Sequence, residues 1–296
     1  MSAPEEIRKL GQERQAARVA KDFARADQLR DEIAAAGWEV VDLSGSFELR
    51  PKARHATFES VRLLKPFVSD ESEICIAMIV TGFQDDVVTA IKSIHKFSDV
   101  PIALICIGDV GVLEKEIDAK LFLVQITDDC GWGAAANALL GNVLTKYVVI
   151  MDPSTQFVGD AITPVLDELR LGQYAAVGWR GGLVNVEDDW RSVADKGAGE
   201  VDVLFSYFLA LDRESALEAG GFSSRAIYYR NADIEFSLKL RHANGRLLQM
   251  DLPLKQERHH GYHDVDPAFR ETQSKKNYDR ILERFRGKNA ILSPRR

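Results

Sequence analysis

Four stretches of this 296-residue chain carry side chains whose type and spacing could do chemistry. The first is Met151-Asp152-Pro153-Ser154-Thr155, directly behind an apolar run. A carboxylate there can hold a hard divalent cation against a diphosphate. The same residues also make an ordinary turn. The second is Tyr229-Arg230-Asn231-Ala232-Asp233-Ile234-Glu235-Phe236. Asp233 falls near a helix start, where the dipole favours the ionised carboxylate that a general base needs. Taken alone, that position suits a helix N-cap better. The third is Glu257-Arg258-His259-His260-Gly261-Tyr262-His263. Its histidines could ligate a metal or touch a phosphate, or simply lie in a solvated loop. Their spacing matches no zinc-protease pattern. The fourth is Gly131-Trp132-Gly133-Ala134-Ala135-Ala136-Asn137. Small residues at a helix start allow a ligand close to the backbone, or a helix close to a sheet. The Gly-x-Gly-x-x-Gly spacing of a dinucleotide fold is absent after the first strand.

These stretches need elements to position them. Ile74 to Val80, Pro101 to Ile107, Leu121 to Ile126 and Tyr147 to Met151 are apolar runs of strand length. Helical patterns run through Val88, Ile91 and Ile94, and from about Gly133 to Leu144. Strands alternating with helices give a mostly parallel sheet with crossover helices. Ligands bind such sheets at the carboxyl ends of the strands. Pattern alone therefore puts Thr81, Gly82, Asp109, Asp152 and Ser154 on a ligand-facing rim. Tyr174 to Trp179 and Asp202 to Leu211 read as further strands. Ile234 to Ala243 alternates like a strand yet ends at Asn244-Gly245 like a helix. Tyr278, Ile281, Leu282 and Phe285 mark an amphipathic last helix.

Ahead of this, residues 1–36 read as two helices, with Asp22 as N-cap of the second and Gly37 as its C-cap glycine. Residues 39–70 read as a connector with short extended pieces. The expected division is 1–52 for the helical hairpin and short connector, and 53–70 for a linker. The main domain then takes 71–290 and a tail 291–296.

The composition narrows the function classes. The net charge of −7 argues against a general nucleic-acid binder. The charge is uneven, with nine Lys or Arg against three Asp or Glu from Arg270 to Arg296. That stretch fits a solvated helix face and tail, with a strip for anionic phosphates or lipid as the lesser reading. No apolar run is long enough to span a bilayer. The opening Met-Ser-Ala-Pro-Glu-Glu lacks the pattern of a secretory signal. Cys75, Cys106 and Cys130 form no close pair, which fits reduced thiols and a cytoplasmic location.

In their order, the pieces from about Ile74 to Arg286 resemble the family 2 glycosyltransferases with a GT-A fold. The matching features are the strand ending at Thr81, the Gly-x-Gly-Ala-Ala-x-Asn helix, Asp152 after the fourth strand, Ala-Gly-Gly-Phe222, Asp233 and a downstream histidine. The resemblance implies a Rossmann-like α/β fold and a hexosyltransferase-like, inverting reaction. Its partners would be a nucleotide-sugar donor and an acceptor hydroxyl of unassigned identity. It implies donor contacts at Thr81, Gly82, Asp109, Gly133, Asn137, Asp152 and Ser154. It also implies a divalent cation (Mn²⁺ or Mg²⁺) on Asp152 and His259, and Asp233 as the base. Three positions depart from the family pattern. Ser154 stands where a second aspartate is usual, Ala232-Asp233 replaces a Glu-Asp pair, and the second-strand aspartate falls at Asp109.

A second resemblance covers Arg14 to about Arg50. Ala17-Arg18-x-x-Lys21-Asp22-Phe23-Ala24-x-Ala26-Asp27-x-x-Arg30-Asp31 is similar to the C-terminal helical region of cysteinyl-tRNA synthetases. The adenylate-binding signatures of a synthetase are absent. Residues 1–52 carry nine basic and ten acidic side chains, without the positive excess that tRNA binding favours. Two alternatives to a transferase stay open: a catalytically weak nucleotide-sugar-binding protein, and an RNA-associated adaptor using the hairpin.

Overall fold

A computed structural model describes residues 3–294. The chain divides into two compact units, residues 1–54 and 55–296. The smaller unit holds α1 (Glu5–Val19), α2 (Phe23–Ala35), β1 (Trp38–Leu43) and β2 (Ser46–Pro51). Asp22 caps α2 by accepting from the Arg25 N–H at 3.1 Å. Gly37 then turns the chain with φ +78, a conformation that L side chains adopt only at a cost. The strands pair antiparallel across Ser44-Gly45, so the expected connector is a β-hairpin. Ile7 and Ile33 are buried against Leu10, Trp38 and Leu49. Arg14 is buried and forks onto Asp42 at 2.7 and 3.0 Å.

The larger unit begins with β3 (Ala56–Phe58), β4 (Ile74–Val80), α3 (Gln84–Phe97), β5 (Ile102–Ile107), β6 (Leu121–Ile126), α4 (Trp132–Asn142) and β7 (Tyr147–Met151). It continues with β8 (Thr155–Phe157), α5 (Ile162–Arg170), β9 (Ala176–Gly178), β10 (Gly181–Val184) and β11 (Val193–Ala194). Then come β12 (Gly199–Val201), β13 (Val203–Leu204), β14 (Phe208–Asp212), α6 (Arg213–Glu218) and α7 (Ala232–His242). The last elements are β15 (Leu247–Gln249), β16 (Leu254–Gln256), α8 (His260–His263) and α9 (Pro267–Phe285).

Nine strands form one sheet in the order β12-β15-β9-β14-β7-β4-β5-β6-β3. From β7 to β3 all neighbours are parallel, while β14 runs antiparallel to both β7 and β9. The parallel strands are apolar on both faces because helices cover both. Ile74, Ile76, Met78 and Val80 of β4 join one core with α3 and α5. Cys75, Ala77 and Ile79 join the other with α4, α6 and α7.

Four sequence expectations change. Residues 56–58, expected as linker, add an edge strand parallel to β6. The single strand expected over Asp202 to Leu211 breaks at Phe205 to Tyr207 into β13 and β14. The ambiguous stretch is the helix α7. Its alternating pattern arises because two of its faces are buried: Phe236 and Leu240 enter one core, Ile234 and Leu238 another. The expected tail begins packed, with the Ser293 N–H and hydroxyl donating to Asp202 at 2.6 and 2.8 Å. Arg295 and Arg296 lie outside the described residues.

Candidate active site

Parallel strands β4 and β7 end side by side, which sets Thr81-Gly82 next to Asp152. The short ribbon of β8 and β16 does the rest. It pairs Thr155 with Gln256, so the segment after Gln256 passes over Asp152. His259 thereby reaches Asp152 and Ser154, although it lies 105 positions beyond Ser154 in sequence. β14 pairs Phe208 with Met151, and the Tyr207 carbonyl accepts the Asp152 N–H at 3.3 Å. That brings the strand break at Phe205 to Tyr207 to the same place.

A cavity of about 350 Å³ opens at this edge. Thr81, Gly82, Asp152, Ser154 and His259 line it, as do Phe83, Asp86, Asp129, Trp132, Ser206 and Tyr229. Its size and mixed lining are those of a small-ligand site.

Asp152 is the centre of a polar network. Its Oδ1 accepts from the Ser154 N–H at 2.8 Å and from the Ser154 hydroxyl at 2.5 Å. Gln256 in turn donates to Ser154 Oγ at 2.7 Å. Asp152 Oδ2 lies 3.2 Å from His259 Nε2, which has no aligned hydrogen-bond partner among the described residues despite its burial. Burial holds the His259 imidazole below its usual pKa, against the opposing pull of Asp152. A neutral imidazole is the form that binds a metal. Two cis ligands on an octahedral ion with bonds of about 2.1 Å stand about 3 Å apart. The Asp152–His259 pair fits that edge. Among the described residues no cluster of three His, Cys, Asp or Glu side chains is arranged to hold an ion. The chain thus offers two ligands of an octahedral shell, and a bound diphosphate with water could supply the others.

Asp233 is held at the strand break through Ser206. Its Oδ2 accepts from the Ser206 N–H at 2.9 Å and the Ser206 hydroxyl at 3.2 Å; its Oδ1 accepts from the Ile234 N–H at 2.9 Å. Burial pushes its pKa up to about 6, even with these hydrogen bonds pulling down. Asp233 does not line the cavity; Ser206 does, and its hydroxyl connects the two. The Tyr207 hydroxyl feels both carboxylates. Burial first, then the charges of Asp233 and Asp152, raise its pKa.

Not every expected residue comes to the cavity. Asp109 accepts from the Gly111 N–H at 3.2 Å, and its carbonyl accepts from Gln84 at 2.7 Å, outside the lining. Asn137 clasps Phe222, accepting its N–H at 2.8 Å and donating to its carbonyl at 2.9 Å. Gly133 packs so closely on the following loop that a Cβ there would stand 2.1 Å from the Ser223 carbonyl oxygen. These two residues shape the scaffold. Glu235 pairs with Arg280 at 3.1 Å, within the helix packing.

The sequence pattern missed Asp86, Asp129 and Ser206. Asp129 was within reach, because it follows β6 as Asp152 follows β7. Asp86 lies in the first turn of the helix after Thr81-Gly82. Burial raises its pKa, His260 opposes that, and Asp152 adds to it. Ser206 carried no local signal.

No protein-family model matches the chain. Its N-terminal segment is similar to cysteine–tRNA ligases. It is 52% identical over 48 residues to that of Opitutus terrae, covering 16% of this chain and 10% of the ligase. It is 60% identical over 38 residues to that of Streptococcus thermophilus, covering 13% of this chain and 8% of the ligase. The chain spans about a tenth of the length of these curated relatives.

Solved structures align with most of the chain. GalNAc-T7 with UDP, GalNAc and Mn²⁺ superposes with a TM-score of 0.56 at 13% identity, over 71% of this chain and 48% of that one. The chain thus spans about half the length of GalNAc-T7. The mannosyltransferase PcManGT of Pyrobaculum calidifontis, with GDP-Man and Mn²⁺, gives 0.53 at 14% identity over 76% and 69%. TarS of S. aureus (residues 1–349) gives 0.50 at 10% identity over 74% of each chain. The chain has the α/β fold of the GT-A glycosyltransferases, and its N-terminal segment is similar to a short part of cysteine–tRNA ligase.

Proposed function

We propose that residues 55–296 transfer a sugar, with inversion, from a nucleotide-sugar donor to an acceptor hydroxyl, as a cytoplasmic enzyme of the family 2 type. One observation carries this: Asp152, His259 and the Ser206–Asp233 pair converge on one cavity at the carboxyl ends of parallel strands. Two of the fold neighbours hold a uridine or guanosine diphosphate compound together with Mn²⁺.

The apolar walls at Phe83, Ile107 and Trp132 suit the flat faces of a nucleobase, and Asp129 offers an acceptor beside them. Asp152 and His259 would hold a divalent cation between them. Held there, such an ion would supply positive charge to the departing diphosphate. Ser206 and Asp233 handle the proton. The acceptor hydroxyl donates a hydrogen bond to Ser206 Oγ and attacks the anomeric carbon. Its proton passes to Ser206 as the Ser206 proton passes to Asp233. The bond from the anomeric carbon to the diphosphate oxygen breaks, and the diphosphate keeps the electron pair. Attack opposite the leaving group inverts the centre. A carboxylate raised to about pH 6 is a stronger base than an ordinary one and is still mostly ionised at neutral pH.

Thermal unfolding with a panel of nucleoside diphosphates and nucleotide sugars, Mn²⁺ present, tests this reading. One nucleotide class should raise Tm in a saturable way. The absence of any shift across the panel would sink it. A second reading, donor binding with weak transfer, is favoured by Ser154, which occupies Asp152 Oδ1 instead of adding a second carboxylate. Release of free nucleoside diphosphate separates the two.

A further inference from the structure

We propose that the groove beside the donor cavity binds an anionic carbohydrate chain, which is the acceptor; this rests on the transferase reading above. Two hollows of about 360 and 380 Å³ adjoin the site. The first shares Tyr229 and His259 with the donor cavity. The second shares Tyr207 and Gln256 with the first. Through these shared residues they form one groove that begins at His259 and Tyr229, on the wall of the donor cavity, and extends to Trp179 and Phe205. Two adjoining hollows of this volume have room for more than one sugar ring, so a chain fits them better than a monosaccharide.

Its lining suits carbohydrate. Phe205 and Tyr207 offer aromatic surface for the C–H faces of sugars, and Gln256 offers polar groups beside them.

Its charge selects an anion. The Arg180 guanidinium lies over the Trp179 ring at 4.5 Å. That of Arg230 lies over the Tyr262 ring at 5.0 Å and donates to its hydroxyl at 3.2 Å. Both arginines line the groove, and stacking orders their guanidinium planes. Neither arginine has a carboxylate within ion-pair distance among the described residues. The field of both reaches the Tyr207 hydroxyl in the middle of the groove. Of the two acids of the groove, one is paired with a cation and the other only accepts a backbone hydrogen bond. Glu257 pairs with Lys255 at 2.7 Å, and Asp195 accepts from the Gly197 N–H at 2.8 Å. In a chain of net charge −7, two fixed and unneutralised arginines on one groove are complementary to phosphate or carboxylate groups.

Calorimetry on the full chain near physiological salt provides the test. The probes are trigalacturonate, a phosphodiester-linked glycerol trimer and neutral maltotriose. At least one anionic probe should bind, and which one separates carboxylate from phosphate recognition. Maltotriose should bind at least about tenfold more weakly. Arg180→Gln and Arg230→Gln should each weaken the anionic probe by about tenfold to a hundredfold, the usual effect of losing a charge-assisted hydrogen bond. Equal affinity for maltotriose, unchanged affinity in both glutamine variants, or no binding of either anionic probe overturns the proposal. A nucleoside diphosphate titrated in parallel reports on the donor cavity alone. Failure there, with anionic probes still bound, counts against the transferase reading and leaves the groove assignment standing.

Discussion

Asp233→Asn separates the proposed base from a mere helix residue, because the raised pKa of Asp233 has separate readouts in stability and in activity. The wild-type carboxyl is fully buried, with a pKa raised from 3.8 to about 6. The folded state therefore binds its proton more tightly than the unfolded state, and this group's contribution to stability is lost as pH rises through about 6. Between pH 5 and pH 7 the loss works out to about 1.3 kcal/mol. Asparagine has nearly the same size and does not titrate, so this slope should vanish in the variant. The stability difference between the two proteins, from urea unfolding at each pH, should then shift by about 1.3 kcal/mol in favour of the variant from pH 5 to pH 7. Donor cleavage should fall about a hundredfold to ten-thousandfold, as for loss of a general base, with donor affinity little changed. In the wild type, cleavage should drop about tenfold per pH unit below about 6. A stability difference that is flat with pH would refute the raised pKa. Near wild-type cleavage by a folded variant would refute the base.

Three further outcomes follow from the same geometry. Ser206→Ala should cut cleavage by about tenfold or more. It should also move the acidic limb of the pH profile upward, because the Ser206 hydroxyl holds the Asp233 pKa down; an unmoved limb would exclude the relay. Mn²⁺ or Mg²⁺ should bind weakly to the protein alone and much more tightly with a nucleoside diphosphate, since Asp152 and His259 supply only part of a shell; tight calorimetric binding by the nucleotide-free protein would contradict this. Removing residues 1–54 should lower stability or yield while leaving nucleotide affinity intact, and the unit should not shift tRNA in a gel at physiological salt. Four of its arginines, Arg14, Arg18, Arg25 and Arg50, are already paired with acids of the same unit.

The scaffold was legible where local patterns decide it. Buried parallel strands read as continuous apolar runs, and β4 to β7 appear where the sequence places them. Asp22 and Gly37 end their helix as their types require. α7 was ambiguous because a helix buried on two faces loses its single-stripe period. The site was legible only in part. Thr81, Gly82, Asp152 and Ser154 reach the rim because the ends of parallel strands fix their place. The meeting of His259 with Asp152 depends on the pairing of β8 with β16, and that of Ser206 with Asp233 on a strand break. Both contacts are long-range, and no local spacing encodes them. Asn137 and Gly133 match a ligand-binding pattern, yet their side-chain and backbone contacts go to Ser223, Ala226 and Phe222. The same residue types serve close packing and ligand approach, so type alone could not separate the two.

The use of a nucleotide-sugar donor is the central claim, and the release of free nucleoside diphosphate tests it most directly. The full chain is incubated with Mn²⁺ and each of a panel of nucleotide sugars, alongside folded Asp152→Asn and Asp233→Asn proteins. The wild type should release nucleoside diphosphate from one class of donor in a saturable manner, and both variants should lose that release by about a hundredfold or more. No release from any donor, or release unchanged in folded Asp152→Asn protein, would contradict the assignment.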